Sequence, residues 1–318
     1  MKKVFALIMA FLMILSLTAC GSKPQKSGSL TFTTGSETGT YYAFGNVIGD
    51  AVNNFTDTKV TVISSNGSQA NIEAIQAGDA DIGFVQSDVM AYCYNGTRLF
   101  AESGAVTTFS TVAAMYMEQV QLVTLDPSIK SVSDLAGKRV SIGATGSGVY
   151  YNVMDILGVY GLTEDDIIPS FYAFSETIDA LQKGEIDAGF VVAGAPTNAV
   201  TSLTATNDAY LVSLDDEHIN ALTASSPYYA RNTIGSEVYG TPEDVITVGI
   251  SAVVIASDSA SDDDVYNFIS AIFNNLDTLA HDKTKEVSLD FAISVTDVPY
   301  HPGAARYFKE RGLSVSTK

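Results

Sequence analysis

Two segments with the same pattern decide the predicted fold: GSETGTYY at residues 35–42 and GATGSGVYY at residues 143–151. Each follows a run of β-forming residues and opens an amphipathic helical stretch. Each is followed, at nearly the same distance, by a second shared motif: QAGDADIGFV at residues 76–85 and QKGEIDAGFV at residues 182–191. Matched motifs in matched order predict two lobes of similar build.

Strands and helices alternate along the chain, which predicts α/β layers around a mostly parallel sheet. The clearest strands are predicted at residues 30–34, 59–64, 139–143 and 171–173. Extended apolar segments at residues 111–125 and 245–256 are predicted to cross a hinge, and helices at 262–281 and 302–311 to return to the first lobe. The expected division is lobe 1 at residues 29–118 plus 247–318 and lobe 2 at residues 119–246, around a central cleft.

The N-terminal residues have the pattern of an export signal. Lys2 and Lys3 precede an uncharged apolar run at residues 4–19, which is too short to span a membrane comfortably. The run ends in LTAC at residues 17–20, which resembles the lipobox of bacterial lipoproteins. We therefore expect a signal peptide at residues 1–19, lipid on Cys20, a flexible tether at residues 20–28 and a monomeric extracytoplasmic body.

Composition excludes several classes of partner. The 318 residues carry a formal charge of -19, which repels nucleic acid, and 46% of them are hydrophobic, as expected of a folding chain. Once Cys20 carries lipid, Cys93 is the only other cysteine, so neither an internal disulfide nor a cysteine-based metal cluster is expected. The acidic run at residues 262–264 is explained by favourable charge at a helix start. We expect no metal and no cofactor.

Three predicted helix starts share a composition suited to holding an anion. They lie at residues 36–41, 66–71 and 145–149, and are rich in Gly, Ser, Thr and Asn. The first turn of a helix offers unpaired backbone N–H groups and the positive end of the helix dipole, which attract carboxylates and phosphates. Any one of these residues is as readily explained as an ordinary N-cap. The set predicts a shared anion site, because all three would face one crevice.

The same segments resemble the TAXI-type solute-binding subunits of tripartite ATP-independent periplasmic (TRAP) transporters. The likeness runs from about residue 30 to residue 312 and is carried by TGS at 34–36, GTYY at 39–42, GS at 67–68 with Asn71, DIGFVQSD at 81–88, GSG at 146–148, GAPT at 194–197 and HPGAARY at 301–307. It implies a type II periplasmic-binding-protein fold, with two α/β lobes that close over glutamate or a dicarboxylate such as 2-oxoglutarate. It also implies delivery of that ligand to sodium-coupled membrane subunits.

The resemblance also implies a set of ligand contacts. Carried over by motif position, these are Ser36, Thr40, Tyr41, Asn66, Ser68, Asn71, Gln86, Ser87, Ser147, Gly148 and Ala195. The chain departs from the usual pattern at Ala70, where an acidic residue is common, and at Val149, where threonine often follows the Gly-Ser-Gly motif. The lost hydroxyl at Val149 leaves the ligand's identity open.

The sequence leaves three other functions open. A secreted serine hydrolase is disfavoured, because neither Ser36 nor Ser147 lies in a Gly-x-Ser-x-Gly motif and the chain has only three histidines. A ligand-sensing lipoprotein and the binding protein of an ATP-driven importer would keep the same fold with another partner. Genes for TRAP membrane subunits beside this one would support transport, whereas a neighbouring histidine kinase would support sensing.

Overall fold

The computed structural model describes residues 28–318. The signal peptide predicted at residues 1–19, the lipidation site predicted at Cys20 and nearly all of the predicted tether lie outside the described residues. The strands are β1 (Ser29–Thr33), β2 (Lys59–Ile63), β3 (Ile82–Gln86), β4 (Phe109–Thr124), β5 (Arg139–Ser141), β6 (Ile168–Ser170), β7 (Ala188–Ala193), β8 (Tyr210–Val212), β9 (Ala230–Ile234) and β10 (Val245–Ser257). The α-helices are α1 (Thr40–Phe55), α2 (Ser68–Ala77), α3 (Ser87–Asn95), α4 (Val149–Val159), α5 (Phe174–Gln182), α6 (Asn198–Thr206), α7 (Asp216–Ser225), α8 (Ser236–Tyr239), α9 (Asp262–Phe273), α10 (Leu289–Ala292) and α11 (Pro302–Lys309).

The strands form one continuous sheet with a parallel section at each end. Strand β1 pairs in parallel with β2 and β3, and strand β5 pairs in parallel with β6 and β7. Between these sections lie the antiparallel strands β10 and β4, giving the order β2-β1-β3-β10-β4-β7-β5-β6, with β8 beside β4 and β9 beside β10. Each parallel section with its helices is one α/β lobe, as the repeated motifs predicted.

Strands β4 and β10 run through both lobes. Their pairing begins where Phe109 lies opposite Ser257 and ends where Gln119 lies opposite Gly249, with two register shifts between. One part of β10 also pairs with β3 in the first lobe, and the last part of β4 pairs with β7 in the second. The prediction that residues 111–125 and 245–256 are extended segments crossing between the lobes is therefore confirmed.

Each lobe has its own hydrophobic core. In the first lobe, the ring centroid of Phe32 lies 5.1 Å from that of Phe84 on β3 and 5.3 Å from that of Phe268 on α9. Helices α9 and α11 pack together in this core, although they come from the end of the chain. The second core surrounds buried residues such as Val140, Ile156 and Phe190.

Some predicted element boundaries were wrong. The strand predicted at residues 171–173 lies just upstream, at Ile168–Ser170, and residues 171–173 lead into helix α5. Pro169 is tolerated in that strand because β6 is at the edge of the sheet. The helix predicted at residues 262–281 ends at Phe273, and the helix predicted at 302–311 ends at Lys309.

Two further observations concern residues 28–318 only. No helix in this part of the chain combines the length and apolar character needed to cross a bilayer. The same residues contain no cluster of three or more His, Cys, Asp or Glu side chains placed to hold a metal ion. Cys93 is a buried free cysteine, and burial raises the pKa of its thiol to about 12, which leaves it in the unreactive thiol form at neutral pH.

Candidate ligand-binding cleft

Three helix starts from the two lobes meet at one cavity. Helices α1 and α2 follow strands β1 and β2 of the first lobe, and helix α4 follows strand β5 of the second. The cavity is lined by Gly35, Ser36, Gly39, Thr40, Tyr41, Ser65, Asn66, Gly67, Ser68, Gln86, Glu118, Ala144, Ser147, Gly148, Val149, Ala173, Phe174, Val192 and Ala193. No side chain caps the start of any of these three helices. Their first-turn amides therefore lack both intrahelical and side-chain partners, and they bring the positive ends of three helix dipoles to the cavity.

The glycines at the two facing helix starts permit the close approach of the lobes. Gly67 caps α2 with a φ of 112°, a left-handed conformation that favours glycine. Gly148 caps α4, and a Cβ placed on it would lie 1.9 Å from Gln86 Oε1 and 2.8 Å from Ser68 Oγ. Any side chain at position 148 would therefore collide with the first lobe.

The lobes are closed on each other around the cavity. The backbone N–H of Ala70 donates to the carbonyl oxygen of Gly146 at 3.0 Å, and Asn66 Nδ2 donates to that of Thr145 at 3.1 Å. On the other side of the cavity, Thr40 Oγ1 donates to the carbonyl oxygen of Gly194 at 2.8 Å. The cavity between the lobes is small, with a volume of about 40 Å³. Its size suits a small solute.

A second group of contacts ties the lobes together beside the cavity. Asn152 Nδ2 of α4 donates to Asp88 Oδ2 of α3 at 2.9 Å, and Arg98 forms an ion pair with Asp155. Asp88 is fully buried, and this burial raises the pKa of its carboxyl to about 6. The closed arrangement thus contains a buried acid that titrates well above the range of an exposed aspartate.

The lining of the cavity contains a single carboxyl group, that of Glu118. The Tyr41 hydroxyl donates to Glu118 Oε2 at 2.8 Å, and Glu118 itself is 2% exposed. Burial raises the pKa of the Glu118 carboxyl to about 8. Two further buried atoms, Ser147 Oγ and Gln86 Oε1, have no hydrogen-bond partner among residues 28–318. Buried polar atoms are nearly always paired in native proteins, so these two are candidates for ligand contact.

Eight of the eleven predicted contact residues line this cavity: Ser36, Thr40, Tyr41, Asn66, Ser68, Gln86, Ser147 and Gly148. The other three, Asn71, Ser87 and Ala195, lie close by without lining it. The amide of Asn71 is fully used inside the first lobe, where Nδ2 donates to the carbonyl oxygens of Thr34 and Phe84 at 2.6 and 2.7 Å. Asn71 thus joins the ends of β1 and β3 and shapes the cavity from behind.

Glu118 is the main feature of the cleft that the sequence motifs did not identify. It lies on the hinge strand β4, away from every glycine-rich loop. A signal was present all the same, because Glu118 is the only charged residue in the sixteen-residue strand FSTVAAMYMEQVQLVT. A lone charge in a buried strand is uncommon and indicates a specific role.

The cavity lacks the residues of a serine hydrolase. None of the three histidines, His218, His281 and His301, lies among the lining residues. His281 packs elsewhere, where it stacks on Phe44 with ring centroids 4.9 Å apart. No imidazole is therefore placed to act as a base for Ser36 or Ser147.

Comparison with known proteins agrees with this architecture. A structure from Bordetella bronchiseptica RB50 matches with a TM-score of 0.55 at 16% identity, over 92% of this chain and 84% of that chain. The substrate-binding protein of an amino acid ABC transporter matches with a TM-score of 0.50 at 14% identity, over 81% of this chain and 97% of that one. The alkanesulfonate-binding protein SsuA from Xanthomonas axonopodis pv. citri, bound to MOPS, matches with a TM-score of 0.49 at 16% identity. This match covers 92% of this chain and 86% of that chain.

At such low identities the first two matches speak to the fold alone, and they confirm the predicted type II periplasmic-binding-protein-like fold. The model of the NMT1-like family matches residues 32–312, which include both lobes, both hinge strands and the whole lining of the cavity. This chain therefore belongs to the NMT1-like family.

Proposed function

We propose that this chain is an extracytoplasmic solute-binding protein that captures a small carboxylate between its lobes. The observation that carries the proposal is the convergence of three helix starts without side-chain caps on one cavity, beside the unpartnered buried hydroxyl of Ser147. A carboxylate there would accept hydrogen bonds from the first-turn amides and from Ser147. It would thereby satisfy first-turn donors that lack a partner, apart from the Ala70 N–H, which already donates to Gly146.

Ligand binding would favour the closed form, because the helix starts belong to different lobes. The start of α2 lies in the first lobe and that of α4 in the second, and the two face each other at Gly67 and Ser147. A carboxylate between them contacts both lobes only when the cleft is closed. Its binding energy then shifts the equilibrium from open to closed, with the long strands β4 and β10 bending as the hinge.

For the partner, we propose the membrane subunits of a TRAP transporter, which would recognise the closed form. The support is the set of motifs shared with TAXI-type subunits, from TGS at residues 34–36 to HPGAARY at 301–307. Lipid on Cys20 would hold the protein at the membrane and raise its local concentration near those subunits. The second candidate is the membrane part of an ATP-driven importer, because the substrate-binding protein of an amino acid ABC transporter has the same fold.

A thermal-shift screen of the purified protein tests ligand capture. The panel contains the amino acids, dicarboxylates including 2-oxoglutarate, and phosphate and sulfate as anions without a carboxylate. A ligand at 100 times its Kd stabilises the folded state by about 2.7 kcal/mol, which is a readily measured increase in Tm. The proposal fails if no carboxylate raises the Tm.

A pair of serine variants then locates the site. Ser147→Ala should weaken binding of any hit by about 5- to 150-fold, because one hydrogen bond to a charged group is lost. Ser259→Ala is the control, since Ser259 is exposed and distant from the cavity. Equal affinities of the two variants would place the ligand elsewhere.

Reconstitution identifies the transporter. Together with TRAP membrane subunits in liposomes, the protein should support uptake of the ligand driven by a sodium gradient without ATP. Uptake that needs ATP and the membrane subunits of an ABC importer would instead establish the second candidate.

A further inference from the structure

Glu118 places a buried carboxyl in the cavity without a cation to match it. Its Oε2 accepts a hydrogen bond from the neutral phenol of Tyr41. A buried carboxyl is costly unless it is paired or hydrogen-bonded to compensate for lost water. No Lys, Arg or His is present among the residues that line the described cavity.

Lys283 is the basic residue whose charge acts on Glu118, and it is engaged with another acid. Its Nζ donates to Glu286 Oε1 at 2.6 Å, and its side chain packs against Gly194 without lining the cavity. Lys283 therefore has a carboxylate partner of its own. If Glu118 is ionised, its negative charge therefore has to be balanced by a group that enters the cavity.

Gln86 adds a second acceptor next to Glu118. Gln86 and Glu118 both line the cavity, and the Gln86 side chain lowers the pKa of the Glu118 carboxyl. The Oε1 atom of the same amide is buried and has no donor among the described residues. A carboxyl and an amide carbonyl thus adjoin the cavity, and both call for hydrogen-bond donors.

The cavity therefore offers both donors and acceptors. Backbone amides at the helix starts are the donors, and the acceptors are the Glu118 carboxyl and the Gln86 amide oxygen, which lies against Gly148 at the start of α4. A dicarboxylate would use the donors but would bring a second negative charge towards Glu118. A primary ammonium group carries three N–H donors and a positive charge, which is the chemistry that these acceptors call for.

We propose that Glu118 and Gln86 form the subsite for the ammonium group of the ligand, and that the ligand is an amino acid and not a dicarboxylate that lacks an amino group. This inference rests on the proposed function, because the carboxylate of the amino acid is held by the helix starts described above. It goes further by assigning the second functional group and by naming the residues that select for it.

Binding should then release a proton. Burial raises the pKa of Glu118 to about 8, with Asp88 raising it further and Tyr41, Gln86 and Lys283 lowering it, so the carboxyl is mainly neutral at pH 7. Tyr116 also lies within electrostatic range of Glu118, and Glu286 lies within range of Tyr116. An ammonium group favours the ionised carboxylate, so the proton of Glu118 leaves as the amino acid binds.

Calorimetric titrations of the purified protein test the proposal with matched probes. Each L-amino acid is paired with the acid that lacks only the amino group: L-glutamate with glutarate, L-alanine with propionate, and L-leucine with 4-methylpentanoate. The best amino acid should bind at least about 30-fold more tightly than its deaminated partner, as expected when a buried charged acceptor is left unpaired.

The isosteric variant Glu118→Gln should lower the affinity for the amino acid by about 10- to 150-fold. It should not weaken binding of the deaminated acid, because a neutral amide does not repel a carboxylate. The Gln side chain can still accept from Tyr41, which preserves the local packing. Glu243→Gln, which changes an exposed residue outside the cavity, should bind both probes like the wild type.

A second measurement uses the wild-type protein alone and does not depend on the folding of a variant. Titrations at pH 7 in buffers of different ionisation enthalpy should show the release of up to one proton for each amino acid bound. Three results would each overturn the ammonium subsite. The first is equal affinity for both members of a pair, and the second is an affinity of Glu118→Gln for the amino acid within twofold of wild type. The third is the absence of proton release. The proposed carboxylate site would survive those results, whereas failure of both amino acids and deaminated acids to bind would overturn both proposals.

Discussion

Replacing Gly148 with alanine tests whether close approach of the lobes is needed for binding. Gly148 has a right-handed backbone conformation, with φ -71° and ψ -22°, so alanine fits the second lobe without strain. Its new Cβ would, however, lie 1.9 Å from Gln86 Oε1 and 2.8 Å from Ser68 Oγ, both in the first lobe. The cost therefore falls on closure and not on the folding of either lobe.

Overpacking by one methyl group costs about 1–3 kcal/mol. The proposed function couples closure to binding, so this cost should appear as a loss of ligand affinity of about 5- to 150-fold. The assay is calorimetric titration with the best ligand of the thermal-shift screen, together with small-angle scattering to follow the decrease in radius of gyration on closure. Gly148→Ala should need more ligand to reach the compact form.

Gly158→Ala is the matched control on the same helix. A Cβ at Gly158 would have no atom within 4 Å, so alanine adds only helix propensity there. This variant should bind like the wild type and gain up to about 1 kcal/mol in its free energy of unfolding. If Gly148→Ala also binds within twofold of wild type, the closed contact at position 148 is not part of ligand capture.

Three further changes test the rest of the cleft. Thr40→Val removes the donor to the Gly194 carbonyl across the cleft while keeping its shape, and calorimetry should show a ligand affinity about 2- to 13-fold lower. Asn71→Ala leaves several buried hydrogen-bonding groups unpaired, and urea unfolding should show a loss of about 3 kcal/mol or more in the free energy of unfolding. Asp88 has a raised pKa of about 6, so its contribution to stability is present in full below pH 4 and is lost as the pH rises to 6. The wild type should therefore lose up to about 3 kcal/mol in its free energy of unfolding over this range relative to Asp88→Asn. If the free energies of both proteins change with pH in parallel, the raised pKa of Asp88 is contradicted.

The parts of the site that can be predicted from the sequence are those with local signatures. Glycine-rich helix starts are contiguous in the chain, and their repetition at residues 35–42 and 143–151 is enough to indicate two lobes. A site built from backbone amides can be found in this way, because the residues that shape the turn also carry the function.

The parts that the sequence did not reveal depend on distant contacts. Glu118 reaches the cavity because β4 passes beneath the helix starts, and its partner Tyr41 is 77 residues away in the chain. Asn71 was predicted from its motif as a ligand contact, yet its amide is used by the carbonyl oxygens of Thr34 and Phe84. The motif places Asn71 near the site, but only the packing of β1 and β3 determines which way its side chain turns.

The position of β10 between β3 and β4 has a consequence for how the chain acquires its structure after synthesis. The first lobe lacks a central strand, and helices α9 and α11 of its core, until residues 245–309 are available. A chain that emerges from its N-terminus therefore cannot complete this lobe early, and its contacts of large sequence separation make assembly slow. If the N-terminal residues direct export as predicted, this late completion delays the folding of the first lobe until nearly the whole chain is available.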